Sequence, residues 1–274
     1  MRRYAVALIV AGACFAAGLV KPTWAAAGAD GAIVSVGGGD TNDAIVARTL
    51  ELAGGRNAVV AVLPQSSALP DAGESSVEMW KKAGARAAVK VSFDDRAEAR
   101  RAIETATLIW MPGGDQNRFM SAIAGTGLDD LIRARHAAGV TVGGTSAGAA
   151  ILSKVMLTGE ADLKGVGAGT TATAPGLGLW PDVIVDQHFL ARQRESRLIS
   201  VVLDHPALVG VGIDEGTAVV LQGTLMEVVG KSAVIVIDAR GAKLPPASSS
   251  PIAAGTGLAF HVLRSGMTLD LARP

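Results

Sequence analysis

Short apolar runs alternate with longer segments whose apolar positions recur every three or four residues. The runs predict β-strands, because four to eight consecutive apolar residues bounded by Gly, Pro, Asn or Asp are typical of buried strands. The longer segments predict amphipathic helices. Predicted strands lie within residues 32–40, 57–67, 87–93, 107–116 and 140–152. Predicted helices lie within residues 41–55, 74–85, 96–106 and 117–139, the last broken near Gly125–Gly127.

This alternation of strand and helix favours a parallel sheet with helices on both faces. Residues 208–238 differ, because apolar runs there are separated by turns of two to four residues. Such spacing predicts hairpins that extend the sheet. Long Gly-rich loops are expected at 158–182 and 240–257, and a closing strand within 258–266. The pattern predicts a mostly parallel α/β fold with a hairpin-rich C-terminal extension, formed as one domain by residues 28–274.

Composition agrees with this fold class and excludes one class of partner. Hydrophobic residues make up 49% of the 274 residues and aromatic residues only 4%, so the core must consist mainly of aliphatic side chains. The formal net charge is zero, and Lys and Arg form no run after the first few residues. These features argue against a nucleic-acid partner.

The first 27 residues have the pattern of an export signal. Arg2 and Arg3 precede an unbroken apolar run, and small residues follow, with cleavage expected among Ala25–Ala27. We expect a secreted or periplasmic protein. A membrane anchor is one alternative, which the shortness of the apolar run disfavours. Lipidation at Cys14 is the other, which Ala11 disfavours because a lipobox has a large aliphatic residue at that position. Cys14 is the only cysteine, so the processed chain has no thiol nucleophile, disulfide or thiolate metal site.

Three Gly-rich segments end predicted strands, namely residues 36–40, 111–116 and 143–149. In an α/β sheet, sites form beyond the carboxyl ends of the strands. Ser146 lies between small residues at a predicted strand-to-helix turn, as in a nucleophile elbow. Bare N–H groups of Gly-Gly turns nearby are the ingredients of an oxyanion hole. Taken alone, Ser146 is explained equally well as a helix N-cap.

His188 is the strongest candidate for the base that a serine nucleophile needs. It lies where an apolar strand meets polar residues, and Arg192, Arg194 and Arg197 follow within nine positions. Three arginines beside a histidine suggest a site for a carboxylate, since a guanidinium binds carboxylates with two hydrogen bonds. A solvated basic helix face is the alternative. No ligand set for a metal and no phosphate-loop or dinucleotide fingerprint stands out, so we predict no metal and no cofactor.

Four motifs in order resemble the cyanophycinases and the wider serine peptidase family S51, which includes aspartyl dipeptidase. In chain order they are MPGGDQNRFM, GGTSAGAAIL, DQHFLARQRESRLISVVLDHP and GVGIDEGTAVV. The resemblance runs from about residue 30 to the end. It implies a fold like that of class I glutamine amidotransferases, with serine in place of cysteine. It also implies hydrolysis of peptide bonds next to aspartate. In cyanophycinases the substrate is a poly-aspartate that carries arginine on its β-carboxyls.

The resemblance also implies roles for individual residues. Ser146 matches the nucleophile and His188 the general base, and the N–H groups of Gly114 and Ala147 would form the oxyanion hole. The third triad member is expected to be Glu160, with Asp162 as the alternative. The substrate pocket would comprise Gln116, Asp186, Gln187, Arg192, Arg194 and Arg197.

The resemblance leaves the substrate and the assembly open. Its implied partner is a peptide or polymer rich in Asp and Arg, with release of β-Asp-Arg dipeptides. Activity on isoaspartyl or other acidic dipeptides is the alternative, and a non-catalytic binding homologue is a further one. A homodimer is expected from the resemblance alone.

Overall fold

The computed structural model describes residues 30–159, 164–246 and 250–272. Its strands form two main sheets and one small two-stranded sheet. The first half of the chain follows the predicted alternation. The first strands and helices are β1 (Ile33–Val36), α1 (Asp43–Leu52), β2 (Val59–Val62), α2 (Glu74–Lys82), β3 (Ala87–Lys90), α3 (Arg96–Thr105), β4 (Leu108–Met111), α4 (Gln116–Ile123), α5 (Leu128–Ala137), β5 (Thr141–Thr145) and α6 (Ala147–Ala150).

The second half is rich in strands, as predicted. It contains one helix among the described residues, and a short strand at 268–270 that the sequence pattern did not predict. The elements are β6 (Val155–Leu157), β7 (Thr173–Pro175), β8 (Val183–Gln187), α7 (Glu195–Asp204), β9 (Val209–Ile213), β10 (Thr217–Gln222), β11 (Leu225–Gly230), β12 (Ala233–Asp238), β13 (Ala259–Arg264) and β14 (Thr268–Asp270).

The larger sheet has eight strands in the order β14-β11-β10-β1-β5-β4-β2-β3. The five strands from β1 to β3 are parallel, as the strand–helix alternation predicts. Strands β10, β11 and β14 extend this sheet in antiparallel fashion. The prediction of a mostly parallel sheet with a hairpin extension is therefore confirmed for this part of the molecule.

A second sheet, in the order β13-β12-β9-β8, contains the remaining long strands. Strands β8 and β9 are parallel, and β12 and β13 join them in antiparallel fashion. We expected these segments to extend one sheet, and that detail is wrong. The apolar pattern of these segments fits a strand of either sheet. In the structure, Val183, Val185, Val209 and Val211 pack against the large sheet, while Ile184 points to the opposite side. A strand with apolar residues on both faces is buried between two layers.

Apolar layers cover both faces of the large sheet. One layer lies against α1 and α2 and contains the edge-to-face ring pair Trp80–Trp110. The other lies beneath α3 to α6 and the second sheet. Helix α7 covers the outer face of the second sheet through Leu198, Val201 and Val202. Along the described ranges, no helix is both long enough and apolar enough to cross a bilayer.

Both sheets direct the carboxyl ends of their parallel strands towards one region. The turns after β1, β4 and β5 in the large sheet meet the turns after β8 and β9 in the second sheet there, as the contacts below show. The fold therefore concentrates five strand ends at a single place, where sites in α/β proteins form.

Candidate active site

Ser146 lies on a strained turn between β5 and α6. Its φ is 54° and its ψ is −114°, an unusual conformation for a residue with a side chain. The N–H of Ser146 donates to Val36 O on the neighbouring strand (3.0 Å), which holds the turn against the sheet. Ser146 occupies the N-cap position of α6, but its side chain caps no N–H group. Its Oγ instead lies 2.8 Å from His188 Nε2. The N-cap interpretation of this hydroxyl is therefore wrong.

Two glycines make the turn at Ser146 sterically feasible. A Cβ atom at Gly148 would collide with Met111 O on β4, and one at Gly144 would lie 2.6 Å from the Gly148 carbonyl carbon. Strand β5 and helix α6 therefore approach each other and β4 at backbone contact distance. The spacing Gly144–Ser146–Gly148 reflects this packing, as in the elbow of other serine hydrolases.

His188 follows β8 and also has a positive φ, of 50°. Its N–H donates to Gly37 O (2.6 Å), which joins the end of the second sheet to the turn after β1. The side chain is 10% exposed. Its Nε2 faces Ser146, and its Nδ1 lies 2.5 Å from Glu215 Oε1. An ionised carboxylate only accepts hydrogen bonds, so Nδ1 carries the proton and Nε2 is free to accept from the serine hydroxyl.

Among the described residues, Glu215 is the carboxylate that contacts His188 Nδ1. It follows β9, which pairs in parallel with β8, so the two strand ends bring Glu215 next to His188. Glu160 was the predicted residue and Asp162 the alternative, and both lie outside the described residues. The nitrogen that either would have to approach is already bonded to Glu215. The sequence contained a signal, since residues 214–216 place two carboxylates directly after an apolar strand.

The Gly-rich turn after β1 accommodates the histidine and the glutamate. A Cβ atom at Gly38 would collide with the His188 ring, and one at Gly39 would lie 3.0 Å from Glu215 Cβ. Gly216 N–H donates to Gly38 O (2.9 Å). Residues 37–39 therefore form the wall behind the imidazole. This close approach explains the Gly run after β1.

The predicted oxyanion-hole donors, Ala147 and Gly114, belong to helix α6 and to the turn after β4. Ala147 is the first residue of α6, a position whose N–H has no partner within the helix. Gly114 lies in the exposed turn after β4 and has a φ of 143°. A Cβ atom at the adjacent Gly113 would lie 3.8 Å from Ser146 Oγ, so this turn borders the hydroxyl. The role of the two N–H groups stays a prediction.

Three predicted pocket residues form a buried ionic cluster instead of an open anion site. Asp186 is fully buried and makes a two-pronged ion pair with the Arg197 guanidinium. Arg194 lies 3.6 Å from the same carboxylate and donates to Gln187 O (2.6 Å) and Gln187 Oε1 (2.7 Å). Burial raises the pKa of Asp186, and the hydrogen bond and charge of Arg197 oppose that rise.

This cluster corrects the prediction that all three arginines bind substrate. Arg194 and Arg197 are 4% and 3% exposed, and their charges face Asp186. The alternative of a solvated basic helix face is equally wrong for them. Arg192 is exposed and remains a candidate for substrate contact.

The amide side chains of the predicted pocket are also placed. Gln116 begins α4 and donates to Leu157 O (2.9 Å). Gln187 is 8% exposed and accepts from Arg194. Both therefore have structural partners, and their contact with substrate stays a prediction.

Comparison with known proteins decides the family. The sequence model of Peptidase family S51 matches residues 32–229. The chain belongs to this family. Among its relatives, the cyanophycinase of Geminocystis herdmanii is 37% identical over 228 residues, which are 80% of this chain and 83% of that protein. The cyanophycinase of Synechococcus elongatus is 35% identical over 232 residues, 80% and 72% of the two chains.

Solved structures agree on the fold. The structure of a peptidase from an acI-B1 actinobacterium matches with a TM-score of 0.63 at 21% identity, covering 89% of this chain and 98% of that one. The predicted α/β fold is therefore confirmed. The family match and the cyanophycinase relatives confirm the predicted enzyme class. The protein is a serine-type peptidase.

Proposed function

We propose that Ser146 is the nucleophile of this peptidase and that His188 is its general base and acid. Ser146 Oγ attacks the scissile carbonyl carbon while its proton moves to His188 Nε2. The tetrahedral intermediate then expels the amine, which takes that proton, and an ester to Ser146 forms. Water, deprotonated by His188, hydrolyses the ester and regenerates the serine. The observation that carries this proposal is the continuous contact from Ser146 Oγ through His188 to Glu215.

Glu215 would hold the imidazole in the productive tautomer. Its carboxylate accepts from Nδ1–H, so Nε2 remains the proton acceptor, and its negative charge stabilises the imidazolium that forms during attack. The N–H groups of Ala147 and Gly114 would donate to the oxyanion. A bare N–H at a short turn suits this task because it needs no reorganisation during the reaction.

We further propose that the substrate is cyanophycin and the product β-Asp-Arg dipeptide. Support comes from the relatives named cyanophycinase, which are up to 37% identical over 80% of the chain. Exposed Arg192, in the same turn as His188, would bind the free carboxylate of the aspartyl unit. Because Asp186 is buried and paired, the acidic group that meets the substrate guanidinium must be a different one.

Digestion of purified cyanophycin tests this proposal. Wild-type enzyme should release a dipeptide with the mass of β-Asp-Arg, and Ser146→Ala should release none above background. Ser75→Ala is a suitable control, because Ser75 is exposed on helix α2. Parallel assays with β-Asp-Lys, α-Asp-Arg and isoaspartyl dipeptides separate the alternatives. Cleavage of dipeptides without cleavage of the polymer would contradict the cyanophycin assignment and favour an isoaspartyl dipeptidase.

We propose that the enzyme acts outside the cytoplasm, with residues 1–27 removed on export. The basic start, apolar run and small residues of this segment support the proposal. Amino-terminal sequencing of protein from the medium or periplasm should begin near residue 28. Retention of the full-length chain in the cytoplasm would contradict export. A homodimer, expected from the resemblance, is tested by light scattering of the same sample.

A further inference from the structure

The turn that carries His188 is held in a conformation that costs energy. Both its first residue, His188, and its last, Gln193, have positive φ angles, of 50° and 52°. Residues other than glycine rarely adopt this region, and they do so only where the surroundings hold them there. The turn's own hydrogen bonds include Arg192 N–H to His188 O (3.0 Å) and Gln193 N–H to Leu190 O (3.1 Å). These bonds leave the N–H groups of Leu190 and Ala191 to other acceptors.

Asp214 provides that acceptor. Its Oδ1 accepts from Leu190 N–H (3.1 Å) and from Ala191 N–H (2.9 Å). Its Oδ2 accepts from Ser232 Oγ (2.6 Å). Asp214 is 9% exposed, so its carboxylate bonds to backbone and hydroxyl donors in a largely buried setting. One side chain thus joins the turn of His188 to the end of β9.

Asp214 also belongs to the segment that positions Glu215. The two residues are consecutive: Asp214 bonds the turn of His188, while Glu215 bonds the imidazole itself. Ser232, the partner of Asp214, donates its N–H to Thr217 Oγ1 (2.8 Å), and Lys231 N–H donates to Gly216 O (3.1 Å). The segment that carries Glu215 is therefore fixed on the side away from the histidine.

We propose that Asp214 is a positioning residue that sets the distance between the His188 imidazole, Ser146 and Glu215. This inference rests on the proposed function, because it assigns Asp214 a role in the same reaction. Asp214 acts through the backbone of the turn and contacts neither the imidazole nor the serine in the hydrogen bonds described above. Without it, the turn loses the acceptor for two N–H groups and relaxes from its positive-φ conformation.

The chemistry of the site favours a geometric role over a charge role for Asp214. Both oxygens face donors, and burial, which acts to raise its pKa, is outweighed by hydrogen bonds from Ser232, Ala191, Glu215 and Leu190 that hold the pKa below its usual value. An asparagine has the same shape. Its Oδ1 can accept from both N–H groups, and its amide can donate to the Ser232 hydroxyl. Asparagine should therefore preserve the geometry without the charge.

The test compares Asp214→Ala and Asp214→Asn with wild type in steady-state kinetics of dipeptide release. For Asp214→Ala we expect kcat to fall about 10²-fold, the usual effect of a catalytic group displaced by roughly 1 Å, with little change in KM. Asp214→Asn should recover most of kcat. Asp95→Ala is the matched control, because Asp95 also accepts a backbone N–H after a parallel strand but lies beyond β3 at the sheet edge. It should retain wild-type kcat.

The folding and the activity of each Asp214 variant are measured in separate experiments. Circular dichroism and melting temperature establish that each variant is folded at the assay temperature, and labelling of Ser146 by a fluorophosphonate gives a rate that needs no substrate. If folded Asp214→Ala shows the wild-type kcat and labelling rate, the positioning role is wrong. If Asp214→Asn is as slow as Asp214→Ala, charge and not geometry matters, and the inference also fails. Absence of hydrolysis by wild type would overturn the proposed substrate instead, while the labelling rates would still test Asp214.

Discussion

At the scale of single residues, the hydroxyl of Ser146 lies at a helix N-cap position but contacts His188 instead of a helix N–H. A serine at a helix N-cap normally accepts from the N–H of the second or third helical residue, a bond worth about 1 kcal/mol. Here the side chain points to His188, and the adjacent N–H of Ala147 is left available. The strained φ of 54° at Ser146 thus goes together with a side chain that caps no helix N–H and contacts His188 instead.

The identity of the triad acid leads to a prediction that separates three carboxylates. Glu215→Gln should lower kcat by about 10³–10⁴-fold, because an amide cannot stabilise the imidazolium and favours the wrong tautomer. Glu160→Gln and Asp162→Asn should stay within a few-fold of wild type. Steady-state kinetics of all three variants provide the measurement. A large loss for Glu160→Gln with none for Glu215→Gln would contradict the proposed role of Glu215.

The glycine behind the imidazole leads to a second prediction. Gly38→Ala should remove nearly all activity, because the new Cβ would occupy the place of the His188 ring. Gly54→Ala is a matched control: both glycines have a φ of 100°, but nothing lies within 4 Å of a Cβ at Gly54. Gly54→Ala should cost about 1 kcal/mol of stability through its positive φ alone and keep its activity. Equal activity of the two variants in the dipeptide assay would disprove the steric argument.

At the scale of elements, the strands and helices of the parallel half were predictable, because the spacing of apolar residues differs between a strand and a helix. The pattern placed α1 within residues 41–55 and the break between α4 and α5 near Gly125–Gly127. It did not anticipate the second sheet, since an apolar strand has the same pattern in either sheet. That pairing of β8 with β9 is what brings Glu215 to His188. The contact between Ser146 and His188 joins two residues that the local pattern had singled out, whereas the contact with Glu215 depends on strand pairing that the pattern does not specify.

The buried ion pair between β8 and α7 leads to a prediction on stability. Asp186→Asn should lower the free energy of unfolding by about 3–5 kcal/mol, because it leaves the buried guanidinium of Arg197 without its counter-charge. Asp130→Asn is the matched control, since Asp130 is 81% exposed in its ion pair with Arg133 and should cost less than about 1 kcal/mol. Urea unfolding of both variants measures the difference. Similar losses would show that burial of the Asp186 pair has no special weight.

At the scale of the whole molecule, several carboxyl groups make stability depend on pH. Burial acts to raise the pKa of Asp129 and Asp238, but bonds with Arg133 and Arg240 respectively hold each pKa below its usual value. Burial also acts to raise the pKa of Asp214, but hydrogen bonds from Ser232 and backbone N–H groups hold that pKa below its usual value. A carboxyl with a lowered pKa in the folded state stabilises fully above its unfolded pKa, near 4. That contribution is lost as pH falls through the folded pKa.

We therefore expect the contribution of these three carboxyls to be lost below about pH 4, so that the melting temperature falls there. Asp238→Asn removes one such group, so it should melt lower than wild type at pH 7, by about 2–4 °C per kcal/mol lost, and approach wild type at pH 3. Calorimetry or circular dichroism across this range provides the measurement. A constant difference between the two proteins at every pH would contradict the linkage.

The central claim is that Ser146 is a nucleophile activated by His188 and Glu215, and one measurement tests it independently of substrate. Folded protein is treated with a fluorophosphonate, and the labelled residue and its rate are determined by peptide mass spectrometry. We predict stoichiometric labelling at Ser146 in wild type, and labelling at least 10²-fold slower in His188→Ala and in Glu215→Gln. No labelling of wild type, labelling at another serine, or equal rates in all three proteins would contradict the claim.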